Sequence, residues 1–354
     1  MRTRKKNYLK IACLLLLSGC CVHEFPQENG ERVPFELNLD FSTELPLYLE
    51  IDATKNNGES KGPGESHDLR YIIQAYRHDY RDENSRIADT TFIFTRSEYK
   101  NLNYRAPLML PEGDYTFRVW SDYVAANTQT DKYYDTRDFS EIILSSRDPH
   151  EGTNDYRDAF RGYAEATVLN PNEYSEEEAA TIENRATAAM SRPLGKFQFI
   201  STDIEVFIQR IIEMMKEQGM SSDEATMQNI DLNDYRIVFR YNAFMPCSYN
   251  IFTDKPADAW TGISFESRME TLSETEVSLG YDYVFVNGSE STLSLTVEVY
   301  DKDGKKMSSS QPIQVPVVRS KLTVVRGEFL TSEASGGVSI NPGYDGDDYN
   351  VEIL

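Results

Sequence analysis

Cys20 is the residue of this sequence whose neighbours best equip it for chemistry. Leu17-Ser18-Gly19 precede it. Small residues at 18 and 19 suit a narrow peptidase cleft, and a thiol at 20 supplies a nucleophilic sulfur for acylation. Upstream lie Arg2, Arg4, Lys5, Lys6 and Lys10, followed by an uncharged apolar run from Ile11 to Leu17. A basic start, a short apolar stretch and small residues before a cut define a secretory signal. A spanning helix needs roughly 20 apolar residues, whereas polar residues resume here at His23. Residues 1–19 therefore read as a lipoprotein signal peptide, with Cys20 as the lipid-bearing start of the mature chain. Cys21 has Ser18 where Cys20 has Leu17, so it is not the modified residue. Multiple acyl chains hold a protein firmly to a bilayer, so the mature chain is expected on the outer membrane, and Glu24 and Glu28 soon after the cysteine resemble surface-export signals.

The remaining candidates for chemistry are weaker in pattern. His23, His67, His78 and His150 sit in polar stretches, none spaced with a second His or Cys as metal ligands would be; exposed loop histidines are expected. No Gly-x-Ser-x-Gly, His-Glu-x-x-His, Walker or Gly-x-Gly-x-x-Gly run occurs, so no enzyme and no cofactor is expected. Asp301 and Asp303 in Asp301-Lys302-Asp303-Gly304, and Asp345 and Asp347 in Asp345-Gly346-Asp347-Asp348, offer oxygens to calcium. Neither run is completed by a bidentate Glu in EF-hand fashion, and a plain turn is the preferred reading of both. Tyr123, Tyr133, Tyr134 and Trp260 could form a stacking platform for sugar rings, but strands favour aromatics for packing alone, and packing is preferred.

Charge narrows the partners. The 354 residues carry 36 Lys plus Arg against 58 Asp plus Glu, a formal net charge of -22. Loss of the five basic residues of the signal leaves about 31 basic residues in the mature chain, a net near -27. Such a surface repels phosphate backbones, which excludes nucleic acid as a partner class. It also disfavours adsorption to anionic lipid, leaving the covalent anchor as the attachment. Of four cysteines, Cys13 departs with the signal and Cys20 is acylated. Cys21 lies in a tether and Cys247 in an apolar strand, so no structural disulfide is expected.

The elements that must position these residues are mostly strands. Residues 20–32 are polar and read as a tether. Val33 to Phe41 alternates with Phe35, Leu37, Leu39 and Phe41 on one face, and Leu45 to Ile51 repeats the pattern; period two marks half-buried strands. Pro111-Glu112-Gly113-Asp114 is a tight turn feeding a strand with apolar residues on both faces, Tyr115, Phe117 and Val119 against Trp120. Residues 125–158 read as a long irregular region, and 174–189 as a short Ser-capped helix. The spacing predicts an amphipathic helix over 203–218: Thr202 and Glu205 have capping-box spacing, Ile204, Phe207, Ile208, Ile211, Ile212 and Met215 share a face, and Gly219 ends it. About fourteen strands at roughly 8–12-residue spacing indicate β-sandwiches. The class expected is all-β, two tandem sandwiches covering 33–194 and 195–354, the second carrying the helix.

The Leu17-Ser18-Gly19-Cys20 lipobox, the acidic tether and the run from Leu110 to Trp120 together resemble Bacteroidales surface lipoproteins related to fimbrillins and minor-fimbria anchors. Tyr156-Arg157-Asp158-Ala159-Phe160, Arg192-Pro193-Leu194-Gly195-Lys196-Phe197-Gln198-Phe199 and Ile340-Asn341-Pro342-Gly343-Tyr344-Asp345-Gly346 extend the resemblance over most of the mature chain. It implies immunoglobulin-like or transthyretin-like sandwiches and a non-enzymatic role in fimbria anchoring, assembly or adhesion. Fimbrial subunits would then be partners through β-strand addition. Arg32 is a conceivable processing site for a polymerising subunit, but an anchor role is preferred. The alternative is a glycan-binding surface lipoprotein of a polysaccharide-uptake system.

Overall fold

The computed structural model describes residues 30–42, 67–78, 86–97, 102–332, 340–344 and 349–353. Cys20, most of the tether and the expected strand at Leu45–Ile51 lie outside the described residues. The first half contains β1 (Arg32–Asp40), β2 (His67–Arg77), β3 (Thr90–Arg96), β4 (Tyr104–Pro111) and β5 (Gly113–Ala125). Two short strands follow, β6 (Tyr134–Asp135) and β7 (Ile142–Leu144), then β8 (Ala159–Val168), the four-residue helix α1 (Glu176–Ala179) and β9 (Arg185–Ser191). The second half opens with β10 (Leu194–Ser201) and helix α2 (Ile204–Glu217). It continues with β11 (Arg236–Tyr241), β12 (Phe244–Pro246), β13 (Ser248–Asn250), β14 (Lys255–Pro256), β15 (Ala259–Thr261), β16 (Ser264–Arg268) and β17 (Glu270–Thr271). Then come β18 (Val277–Phe285), β19 (Glu290–Tyr300), β20 (Lys306–Ser309), β21 (Ile313–Val318), β22 (Leu322–Gly327), β23 (Ile340–Tyr344) and β24 (Tyr349–Ile353). The described chain is thus mostly β.

Seven strands of the first half form one sheet in the order β3-β2-β5-β8-β9-β1-β4. Its connectivity requires it to curl. Glu112 alone separates β4 from β5, yet these strands stand four places apart in the sheet. Four strand spacings would span about 19 Å in a flat sheet, and two peptide units reach only about 7 Å. The sheet therefore rolls until the end of β4 meets the start of β5. Its apolar faces close over one another: Phe35 of β1 stacks on Phe117 of β5 with centroids 5.2 Å apart, and the Tyr115 hydroxyl donates to the Pro111 carbonyl at 3.0 Å. The alternation read in β1 is what fills this interior, with Val33, Phe35, Leu37 and Leu39 buried.

In the second half, a six-stranded sheet (β17-β18-β10-β22-β24-β23) faces a smaller one (β16-β11-β19-β20, with β21 also on β19). Rings bridge the gap: Phe199 of β10 lies 5.3 Å from Phe239 of β11, which stacks on Phe265 of β16 at 4.7 Å. Helix α2 buries Ile204, Phe207, Ile208 and Ile211, and tertiary packing of this kind, more than propensity, holds such a helix. Its cap differs from expectation. Asp203, not Thr202, is the N-cap, and it makes no side-chain cap bond. Its carboxylate is taken by the Thr331 amide at 2.8 Å and the Ser201 hydroxyl at 2.6 Å, so it fastens the chain after β22 instead.

Two further readings are corrected. Residues 125–158 are not irregular throughout: β6 and β7 join β13 and β14 in a four-stranded sheet drawn from both halves. Strands of two or three residues are too short to show a period, and the strand that pairs β7 on its other side, β13, lies about a hundred residues on. Residues 174–189 are mostly not helix. The Ser175–Glu178 capping box starts α1, which ends at Ala179, and β9 follows. One apolar cluster runs from Val33 through Trp120 and Phe285 to Leu330, so the halves share a core.

Candidate functional site

The contact between the halves is built on one loop. Asn154 accepts the Tyr156 amide and caps the short turn Asp155–Arg157, which sends Asp155, Arg157 and Asp158 toward three different partners. Asp282 of β18 is the central acceptor. It pairs with Arg157, takes hydrogen bonds from the Tyr241 hydroxyl at 2.6 Å and the Tyr283 amide at 2.8 Å, and contacts His150 Nε2 at 2.7 Å. Arg192 holds Asp158 in a fork, Nε to Oδ1 at 2.8 Å and Nη2 to Oδ2 at 2.9 Å. Lys196 reaches Asp155 at 2.6 Å while its ammonium lies 3.8 Å over the Tyr281 ring.

Asp282, Arg157, Asp158 and Arg192 are all at most 1 % exposed. Burial alone would raise the Asp282 pKa, but Arg157, His150 and the Tyr241 hydroxyl outweigh it and hold the carboxyl below its ordinary value. Burial likewise pulls the Lys196 ammonium down, against the attraction of Asp155. Gly280 lets the loop dock. It has φ +144, and a Cβ there would stand 2.6 Å from Ser267 Oγ and 2.9 Å from Thr153 Oγ1. Thr153 then donates its amide to the Tyr281 carbonyl at 2.7 Å. Desolvating charges is costly unless each is paired and hydrogen-bonded, and here each is. This seam fixes geometry and has no reacting group held open.

The second region is the pair of edges of the curled sheet. β3 and β4 are consecutive in the chain, joined by residues 97–103, and successive strands so connected usually pair. These two do not. They touch at one corner, where Phe94 lies 5.5 Å from Tyr104 and Arg96 Nη1 donates to the Asn103 carbonyl at 2.9 Å. Among the described residues the outer sides of both strands are unpaired. Ile93 of β3 is 38 % exposed and Met109 of β4 is 45 % exposed. Unpaired ladder groups beside apolar side chains form a template for another strand. Pro107 on β4 fits an edge position, since proline cannot donate to a ladder.

The residues nominated from sequence fall elsewhere. Tyr123 and Tyr134 are fully buried and Tyr133 nearly so, so they present no platform to a sugar; Trp120 packs edge-on to Tyr134 at 5.4 Å. Trp260 is half-buried in β15, with the Arg147 guanidinium 5.7 Å over its ring. Asp301 spends a carboxylate oxygen on the amides of Asp303 at 3.0 Å and Lys305 at 2.8 Å, closing its own turn. Asp301 and Asp303 also line a groove of ≈ 260 Å³ beside α2, with Met214, Met215, Met220 and Met307. Asp345 and Asp347 lie outside the described residues, as does Cys20. Cys247 is a buried free thiol whose pKa burial pushes up to about 11.

His67 and His150 correct the expectation of exposed loop histidines. His150 is buried against Asp282, and His67 lies in β2, stacked on Tyr156 at 3.5 Å. Burial, then Lys132, holds the His67 imidazole below its ordinary pKa. The signal that could have found the seam was present: Tyr156-Arg157-Asp158 and Arg192-Pro193-Leu194-Gly195-Lys196 stood out as motifs, and they pair with one another.

An all-β chain with a curled sheet open along two edges is the class that fold and site define. The chain belongs to the family of unknown function DUF6562, whose family model matches residues 30–353. No curated protein matches it. Among solved structures it is similar to the fimbrial anchor protein Mfa2 of Porphyromonas gingivalis, at 12% identity and TM-score 0.36 over 78% of this chain and 82% of that one. It is similar to a candidate cell adhesion protein of Bacteroides eggerthii at 11% identity and TM-score 0.43, covering 92% and 95%. A candidate polysaccharide binding protein of Bacteroides thetaiotaomicron matches at 11% identity and TM-score 0.40, covering 78% and 79%. At these values none of them assigns a residue or a role here.

Proposed function

We propose that this chain is a lipid-anchored envelope protein of adhesion or fimbria anchoring, holding a partner by β-strand addition along β3 and β4. In this reading Cys20 carries the lipid, residues 20–32 are the tether, and 33–194 and 195–354 are two sandwiches of immunoglobulin-like or transthyretin-like type. The observation that carries it is the pair of consecutive strands that meet at Phe94 and Tyr104 yet leave both outer edges unpaired. Main-chain hydrogen bonds along such an edge supply affinity, and pockets for alternate side chains supply specificity.

The test is site-specific photo-crosslinking of the lipidated chain in its own envelope, with the probe at Ile93 or Met109. Adducts to an extended segment of a secreted β-rich subunit are expected at both sites, and none from a probe at Phe244, which is 69% exposed on β12. Equal labelling from all three positions, or none from the edge pair, would discard the reading.

A further inference from the structure

We propose that the pocket between the outer face of the curled sheet and the turn at residues 251–254 binds a carboxylated sugar, a hexuronate, with Arg118 receiving the carboxylate. The proposal is independent of strand addition at the sheet edges. The pocket measures ≈ 280 Å³ and is lined by Arg118, Arg161, Tyr163, Phe252 and Asp254 among others, room for a single sugar ring.

Arg118, half-buried on β5 with its Nε enclosed, differs from the fully buried arginines. Arg70, Arg157 and Arg192 each hold a buried aspartate. Arg118 has no carboxylate within ion-pair distance among the described residues, and its Nε is buried with no acceptor. The nearest acid of the lining is already committed: Asp254 is shared by Arg161 at 2.8 Å and Arg319 at 2.7 Å. Glu165, the other acid nearby, accepts from the Tyr163 hydroxyl. Burial without a paired anion holds the Arg118 pKa below its ordinary value, so a bound carboxylate would relieve a standing cost.

The surroundings specify more than an anion. Arg118 and Tyr163 are directly opposite in the β5–β8 register, and the guanidinium lies 4.4 Å over the Tyr163 ring and 5.6 Å from that of Phe252. Stacking engages the face of the guanidinium and leaves its edge donors for a planar, bidentate acceptor. Arg86 sits 5.6 Å over the Phe252 ring from the opposite strand connection, again with no ion pair among the described residues. Tyr163 is 40% exposed, so an aromatic face stands beside the unspent donors. A ring with one apolar face and a carboxylate at its rim matches both. In a chain of net charge -22, this concentration of guanidinium groups is a local reversal of sign.

The experiment is calorimetric titration of the mature chain with a short oligogalacturonate, with its methyl-esterified counterpart and with polyglutamate. Binding of the free acid is expected, and the ester should bind at least about tenfold more weakly, because it cannot accept charge-assisted hydrogen bonds at full strength. Arg118→Gln should weaken binding roughly 10- to 100-fold while leaving the thermal midpoint unchanged or raised, since it removes a desolvated, unpaired cation. Tyr163→Ala should weaken binding with the fold intact. The proposal is overturned if the free acid does not bind at millimolar concentration, if ester and acid bind alike, if polyglutamate binds as well as the sugar, or if Arg118→Gln lowers the midpoint and leaves affinity unchanged.

Discussion

The seam between the halves and the edges of the curled sheet handle unsatisfied polar groups in opposite ways. At the seam every buried charge has a partner: Asp282 meets Arg157, Asp158 meets Arg192, and Asp155 meets Lys196. At the β3 and β4 edges no further strand pairs among the described residues, apolar side chains stand beside the open ladder, and the Ile93 carbonyl is met only by a side chain, Gln129 Nε2 at 3.4 Å. The difference separates what holds the molecule together from what it offers to others. Charges taken out of water demand completion within the chain, whereas an edge in contact with water tolerates incompleteness and can be completed by a second chain.

The largest effect should come from the seam. Asp282→Ala leaves Arg157 buried without its anion, which should lower unfolding free energy by about 3–5 kcal/mol, measured by urea denaturation. A loss below about 1 kcal/mol would mean that the seam contributes little. Acid should act on the same group. The folded Asp282 pKa lies below the ordinary 3.8, so its contribution is complete above that value and is lost as pH falls through the depressed one. The stability gap between the wild type and Asp282→Asn should therefore close below about pH 4.

Glu298 gives a smaller effect of the same sign. Burial raises its pKa, but Lys306, Arg240 and the Tyr300 hydroxyl bring it down to about 2. Its contribution is complete above the ordinary 4.5 and fades between that value and about 2. Its cationic partners are nearly half exposed and so are screened by solvent. Thermal melts of Glu298→Gln across this range should converge with the wild type, by less than at Asp282. The smallest effect belongs to the edge. Ile93→Lys should change stability by no more than about 0.5 kcal/mol and yet abolish crosslinking to a partner strand. A large destabilisation there would show that the edge is structural, and the contrast between the two regions would dissolve.

How much of this was legible in the sequence follows from distance along the chain. Alternation in Val33–Phe41 and the apolar stripe of Ile204–Ile211 are local periods, and both elements are there to be read. The seam is not local. His150 and Asp282 lie 132 residues apart, and no spacing rule links them, which is why His150 read as an exposed loop residue. What Tyr134 packs against was hidden for a related reason: its strand is two residues long and its sheet is completed from the second half. Thr202 failed as a cap because Asp203 is tied to Thr331, a contact the capping-box spacing could not reveal. Arg118 was visible only as one polar place in an alternating strand; that it has no anion is a property of the assembled face.

One consequence concerns force. The first described strand, β1, is laddered antiparallel to β4 over eight paired positions and parallel to β9 over five. Tension arriving at Arg32 along the strand axis loads both ladders in shear, so their bonds must give way together, not one after another as in unzipping. With Cys20 anchored as proposed, a tug on the far side of the molecule would meet its strongest geometry first.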